Sequence, residues 1–69
     1  MTKYPILIAP TQTGYSAHVP DLPGCIATGQ TVEQVKQRMR KAIEMHISAM
    51  RTDGDEIPEP SLLDLVEVA

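Results

Sequence analysis

The nine acidic residues of this 69-residue chain are the side chains best suited to chemistry, because clustered carboxylates can hold the metal ions of a nuclease. Two-metal catalysis needs carboxylates that converge on ions about 4 Å apart. The three strands predicted below contain no Asp or Glu. The acids lie instead in a corner at residues 19–25, on the helix exterior, in the loop after the helix and near the C-terminus. This distribution argues against an enzyme, and we expect no metal and no cofactor.

The other reactive side chains, one cysteine and two histidines, stand alone. Cys25 has no second cysteine to pair with, and His18 and His46 are far apart in the sequence, so no metal-ligand spacing arises. We expect Cys25 to be a semi-buried filler and His46 a hydrogen-bonded core residue. The lone thiol suits a reducing cytoplasm. The apolar start, broken by Pro5 and Pro10, is too short for a signal peptide or a membrane span, so we expect a cytoplasmic protein.

Length and charge limit the fold and the partners. The chain is expected to form a single domain over residues 1–69, with a thin core because it contains no Trp or Phe and only two Tyr. A homodimer or higher homo-oligomer would supply the burial that a monomer lacks. The net charge of −3 favours a basic protein partner over nucleic acid.

Hydrophobic patterning predicts three short strands followed by one helix. Residues 3–9, 15–19 and 25–28 form the apolar or alternating runs typical of strands. The first run is apolar on both faces, so we expect it to be a central strand. Thr31 and Gln34 form a capping box that opens a helix from Val32 to Arg51, and Gly54 suits its left-handed C-cap. An apolar stripe along this helix predicts that one face packs on the sheet.

The order of elements predicts an α+β domain with two layers. The first three strands should form an antiparallel meander, one helix should cover one sheet face, and residues 62–68 should form a final strand parallel to the first. This β-β-β-α-β arrangement leaves the other sheet face for a second copy or another protein to shield.

A rigid corner, Val19-Pro20-Asp21-Leu22-Pro23-Gly24-Cys25, joins the second and third strands. Pro20 and Pro23 each have φ fixed at about −65°, and Gly24 can adopt positive φ. Pro23-Gly24 therefore suits the central positions of a type II turn. Asp21 is expected to accept local backbone hydrogen bonds that hold the bend from inside.

The corner, with Gly14-Tyr15 before it and Gly29-Gln30-Thr31 after it, resembles the N-terminal domain of HicB-family antitoxins, which pair with small RNA-cleaving toxins. The similarity extends from Tyr4 through helix residues 42–46 to residues 57–61. It implies a partial ribonuclease H-like fold without nuclease activity, which binds a small basic HicA-type toxin and covers its active site. Many members carry a C-terminal DNA-binding domain. This chain ends at Ala69 without one, so we expect no direct DNA binding from it.

Three functional hypotheses follow from these observations. The leading one is an oligomeric antitoxin module that neutralises a basic toxin, and the second is a stand-alone oligomeric domain that binds a ligand or protein without a toxin. Residual nuclease activity is the third. The partner-contact candidates are a presented turn and a set of steering acids: Asp21, Leu22, Pro23, Asp53, Asp55 and Glu56. Asp21 and Leu22 either only complete the turn, or form a stiff, presented surface that docks on a partner at little entropic cost.

Overall fold

The computed structural model describes residues 2–69 and contains three strands followed by a helix. Strands β1 (Leu7–Pro10), β2 (Tyr15–His18) and β3 (Ile26–Gly29) form an antiparallel sheet in the order β1-β2-β3. Helix α1 spans Val32–Asp53 and contacts β2 and β3. The predicted α+β class, with a three-stranded meander before one helix, is confirmed.

Strand register separates an inner sheet face from an outer one. Ala17 pairs with Ile8 on one side and with Ala27 on the other, and this row belongs to the face that packs with the buried core. The next row, Leu7 with His18 and His18 with Ile26, points the other way because neighbouring strand residues alternate faces. All three of these outer-row residues are exposed. Within residues 2–69, the sheet is therefore covered on one face and open on the other.

The core is small and centres on the corner and the first half of α1. The fully buried side chains are apolar or weakly polar: Ala17, Val19, Leu22, Cys25, Val35 and Met39. Tyr4, Ile8 and Ile43 are among the partly buried residues packed around them. Such a core leaves little margin of stability in a chain of this length.

Both helix ends are capped much as the sequence predicts. The amide of Gln34 donates to Thr31 Oγ1 at 3.1 Å, while the side chain of Gln34 accepts from the amide of Gln30 at 2.7 Å. In a capping box the Gln34 side chain would accept from the amide of the N-cap, Thr31; here it accepts from the residue before it. At the other end Gly54 has φ of 75° and its amide donates to the Arg51 carbonyl at 3.2 Å, which closes a Schellman-type cap.

Two predictions about the sheet are wrong. The first strand lies at an edge, and β2 is central. The apolar outward residues of β1 suggested burial on both sides, but Leu7 and Ala9 are exposed. Residues 62–68 form neither strand nor helix, so the expected fourth strand is not present in the described residues. An apolar run indicates that a segment tends to be buried, but it does not show which surface buries that segment.

Helix α1 is amphipathic rather than uniformly apolar. Within residues 2–69, no helix has both the length and the hydrophobicity that a membrane-spanning segment needs.

Candidate protein-interaction site

The corner at residues 19–25 is a closed loop of backbone hydrogen bonds. The amide of Val19 donates to the carbonyl of Cys25, and the amide of Leu22 donates to the carbonyl of Val19, each at 3.1 Å. The amide of Cys25 donates to the Leu22 carbonyl, also at 3.1 Å, across Pro23 and Gly24. Gly24 has φ of 85°, so the type II turn predicted for Pro23-Gly24 is confirmed.

The side chain of Leu22 points into the core instead of toward a partner. It is 0% exposed, and it packs with Val19 and Cys25 of the same corner and with Val35 and Met39 of the helix. The expectation of a presented leucine is therefore wrong. The two turns that flank Leu22 bend the chain so that its side chain faces inward and Pro23 stays exposed.

Asp21 makes a long-range contact rather than the local ones predicted. Its Oδ2 accepts a hydrogen bond from the amide of Ser61 at 2.9 Å, and its Oδ1 accepts one from the Ser61 hydroxyl. The hydrogen bond from the Ser61 hydroxyl lowers the pKa of Asp21 most, and the bond from the Ser61 amide is the second cause. Together they hold this pKa below 3.8, against a smaller opposite effect of burial. Asp21 thus binds the segment that follows the helix.

A second contact ties the same segment to the start of the chain. The hydroxyl of Tyr4 donates to the carbonyl of Pro58 at 2.6 Å. Residues 58–61 are therefore attached at two points, near the corner and just before β1. Neither Tyr4 nor Ser61 was a candidate from sequence, because partners 54 and 40 residues apart leave no mark in local spacing.

The acids Asp53, Asp55 and Glu56 are all exposed and surround the C-terminal end of α1. A helix C-terminus carries partial negative charge, so acids placed there do not stabilise the helix. Ser61 follows Glu56 by five positions, which is at most about 18 Å of extended chain. The steering acids and the corner thus lie at the two ends of one short tethered segment.

The basic residues of α1 occupy a different part of the surface. Lys36, Arg38, Arg40 and Lys41 are exposed along the first half of the helix. Arg38 donates to the carbonyl of Thr28 at 2.9 Å, so this guanidinium satisfies a backbone group of β3. These positions form an ordinary solvated helix face.

The isolated reactive residues are arranged for structure rather than chemistry. Cys25 is free and 4% exposed, and burial raises the pKa of its thiol, which disfavours the reactive thiolate. His18 is exposed and His46 is half-buried. Among residues 2–69, no group of three His, Cys, Asp or Glu side chains is placed to hold a metal ion.

Comparison with known proteins places this domain in a family. Residues 4–68 match the model for the HicB_like antitoxin of bacterial toxin-antitoxin systems. The chain belongs to the HicB-like antitoxin family. This agrees with the resemblance of the corner and its flanking glycines.

Two relatives and one solved structure show how far the similarity extends. An uncharacterized 14.9 kDa protein from the rep-hol intergenic region of Haemophilus phage HP1 is 36% identical over 61 residues. That alignment covers 88% of this chain but only 46% of the phage protein, so this HicB-like chain spans less than half of that relative. A UPF0150 protein of Synechocystis is 30% identical over 81% of this chain and 78% of its own length.

The solved structure is the HicA3 and HicB3 toxin-antitoxin complex. One of its chains superposes with a TM-score of 0.71 and is 33% identical, over 83% of this chain and 66% of that one. The HicB-like fold seen here therefore occurs in a protein that was solved as part of a toxin–antitoxin assembly.

Proposed function

We propose that this chain is the antitoxin module of a toxin–antitoxin pair, and that it neutralises a small basic HicA-type toxin by covering the toxin's RNA-cleaving site. The observation that carries this proposal is the family match over residues 4–68. The structural similarity to a chain of a toxin-antitoxin complex supports the choice of a protein partner.

Charge supports a basic partner. The chain carries a net charge of −3, and Asp53, Asp55 and Glu56 are exposed together at the C-terminal end of α1. Because these acids oppose the helix dipole, their placement suits recognition better than stability. Exposed acids accelerate encounter with a basic partner more than they strengthen the final complex.

The corner supplies a stiff neighbouring surface. Pro23 and Gly24 are exposed, and the turn that holds them is closed by backbone hydrogen bonds over the buried Leu22. A preorganised turn loses little conformational entropy on binding. In this arrangement Asp21 positions residues 58–61, while Pro23 and the three acids are the candidates for direct contact.

We also propose that residues 1–69 act as one folding unit in the cytoplasm, without direct DNA contact. The single small core and the free buried thiol of Cys25 support this. The role is that of a binding protein, since inhibition by occlusion requires no catalytic group of its own.

The proposal is tested with a HicA-type toxin, sought first as the product of the gene next to this one. The purified chain and the toxin are mixed at increasing ratios, and cleavage of a labelled mRNA by the toxin is measured. We expect cleavage to stop near a one-to-one ratio of the two proteins, and the pair to co-elute in gel filtration. Unchanged cleavage with the chain in large excess would refute the antitoxin role and leave the toxin-independent binding domain and residual nuclease activity as the remaining hypotheses.

A matched pair of charge reversals tests the acidic surface. Asp55→Lys removes one steering acid, whereas Glu44→Lys makes the same charge change at an exposed position on the side of α1. We expect Asp55→Lys to slow association with the toxin several-fold at low salt and to flatten its salt dependence. Equal slowing by both variants would show that net charge alone matters and would remove Asp55 from the contact surface.

A further inference from the structure

The sheet face turned away from α1 is an exposed apolar surface without an acidic residue. We call it the outer face; its residues are Leu7, Ala9, Ser16, His18, Ile26 and Thr28. Leu7 is 49% exposed and Ile26 is 68% exposed, and the register places them on either side of His18 in one row. Isolated exposed apolar residues are ordinary, but a row across a sheet forms a surface that another chain can cover.

Residues 62–68, which we call the tail, are a second exposed apolar surface on the same chain. Five of its seven side chains are Leu or Val, and their exposures run from 64% to 101%: Leu62, Leu63, Leu65, Val66 and Val68. The tail has no helix or strand of its own. Its start is held in place, because Asp21 binds Ser61 immediately before it.

The two surfaces differ in charge, because the tail is acidic and the outer face has no acidic side chain. The stretch 2–20, which contains β1 and β2, has no Asp or Glu. The tail carries Asp64 and Glu67, and residues 52–69 contain no Lys or Arg. Two acidic tails would repel each other, whereas a tail meets no carboxylate on the outer face. Contact between tail and outer face is therefore favoured over contact between two tails.

We propose that the tail of one copy docks across the outer face of a second copy, and that the reciprocal contact joins the two copies in a two-fold dimer. A single copy exposes both surfaces at the same time, with the tail attached at Ser61 and its apolar side chains unburied. Exchange of tails covers both surfaces in both copies and closes the assembly at two, since the interface is isologous.

Length and area are sufficient for this contact. Seven extended residues reach about 23 Å, which exceeds the width of three strands spaced about 4.8 Å apart. Side chains of an extended segment alternate, so only about half of the apolar side chains of the tail face the sheet. At roughly 100 Å² each, they bury about 250 Å² of the tail and a similar area of the face beneath it. Two reciprocal contacts then bury about 1,000 Å² in total, which is near the lower limit for a specific protein interface.

Sedimentation of the full 69-residue chain over a wide range of concentration tests the proposal. We expect the wild-type protein to sediment as a dimer that dissociates on dilution. The double variant Leu65→Asp/Val66→Asp changes the tail, and Ile26→Lys changes the outer face; each should weaken the dimer at least about tenfold. Met45→Lys is the matched control, because Met45 is 74% exposed on the helix and should not affect the dimer.

Mixing the two disruptive variants distinguishes exchange from other packing. The tail variant retains an intact outer face, and Ile26→Lys retains an intact tail, so the mixture regains one of the two contacts. We expect the mixture to form more dimer than either variant alone. The proposal is overturned if the wild-type chain stays monomeric at high concentration, if the tail variant dimerises as well as wild type, or if mixing restores nothing. Circular dichroism of each variant checks that the fold is retained, and none of these measurements involves a toxin.

Discussion

Asp21 and Ser61 are joined by two hydrogen bonds although 40 residues separate them in the sequence. The carboxylate accepts from both the amide and the hydroxyl of the serine, and this paired contact attaches the segment after α1 to the corner between β2 and β3. The same residue that the sequence offers as a partner contact is thus engaged within the chain. Its function is to position residues 58–61, together with the Tyr4–Pro58 bond.

Asp21→Asn should loosen this attachment without unfolding the domain. The amide side chain retains the shape of the carboxylate but loses its charge, and charge-assisted hydrogen bonds are about twice as strong as neutral ones. We expect the Ser61 amide proton to exchange with solvent several-fold faster in the variant, as measured by NMR. Asp55→Asn is the control, since Asp55 is exposed and its carboxylate is not bonded to Ser61. Equal protection of Ser61 in wild type and in Asp21→Asn would contradict the contact.

The Asp21 contact should also be sensitive to acid. The folded-state pKa of Asp21 lies below the unfolded value of 3.8, so the folded state binds this proton more weakly. The contact is therefore complete above pH 3.8 and is lost as the pH falls through the lower folded pKa. An NMR titration of the Asp21 carboxyl carbon measures this value directly. Ser61→Ala removes the hydroxyl, the larger cause of the shift, and should return the pKa toward 3.8.

Leu22→Ala should be among the most damaging single changes in the chain. Leu22 is 0% exposed and packs in the centre of a core that contains few other buried residues. Truncation of a buried leucine costs about 2–5 kcal/mol, which is a large part of the stability of so small a domain. Urea unfolding measures the loss, and Met45→Ala, at an exposed apolar site, should change stability by less than about 0.5 kcal/mol. A small effect at Leu22 would mean that the corner is not part of the core.

Local chemistry explains why much of this fold was predictable. Pro23-Gly24 and the Thr31–Gln34 pair specify their own backbone geometry, and the turn and the helix start form where these residues stand. The alternation of Ala17 and Val19 with exposed His18 likewise reports one buried face. Such features depend on neighbours within four residues, which a sequence displays directly.

The errors concern partners that lie far apart in the chain. The apolar pattern of β1 signals burial, but it does not distinguish a central strand from an edge strand whose outer side is open. Leu22 appeared to be presented because two prolines surround it, yet the direction of its side chain depends on both turns together. The tail was predicted to be a strand and is not one, and no contact was predicted for Ser61. No local rule links Ser61 to Asp21 or the tail to a covering surface.

Replacing either of two turn glycines with alanine should lower the stability of the fold, for a different reason at each position. Gly24 has φ of 85° with no heavy atom within 4 Å of an added Cβ, so Gly24→Ala should cost only backbone strain, about 1–2 kcal/mol. An added Cβ at Gly14 would overlap the carbonyl oxygen of Gly29 and lie 2.9 Å from the Cα of Gln30, and backbone atoms cannot rotate aside. Gly14→Ala should therefore cost more. Urea unfolding ranks the variants, and Gly24→Asn should recover part of the loss because Asn tolerates the left-handed region. A Gly24→Ala protein as stable as wild type would contradict the turn geometry.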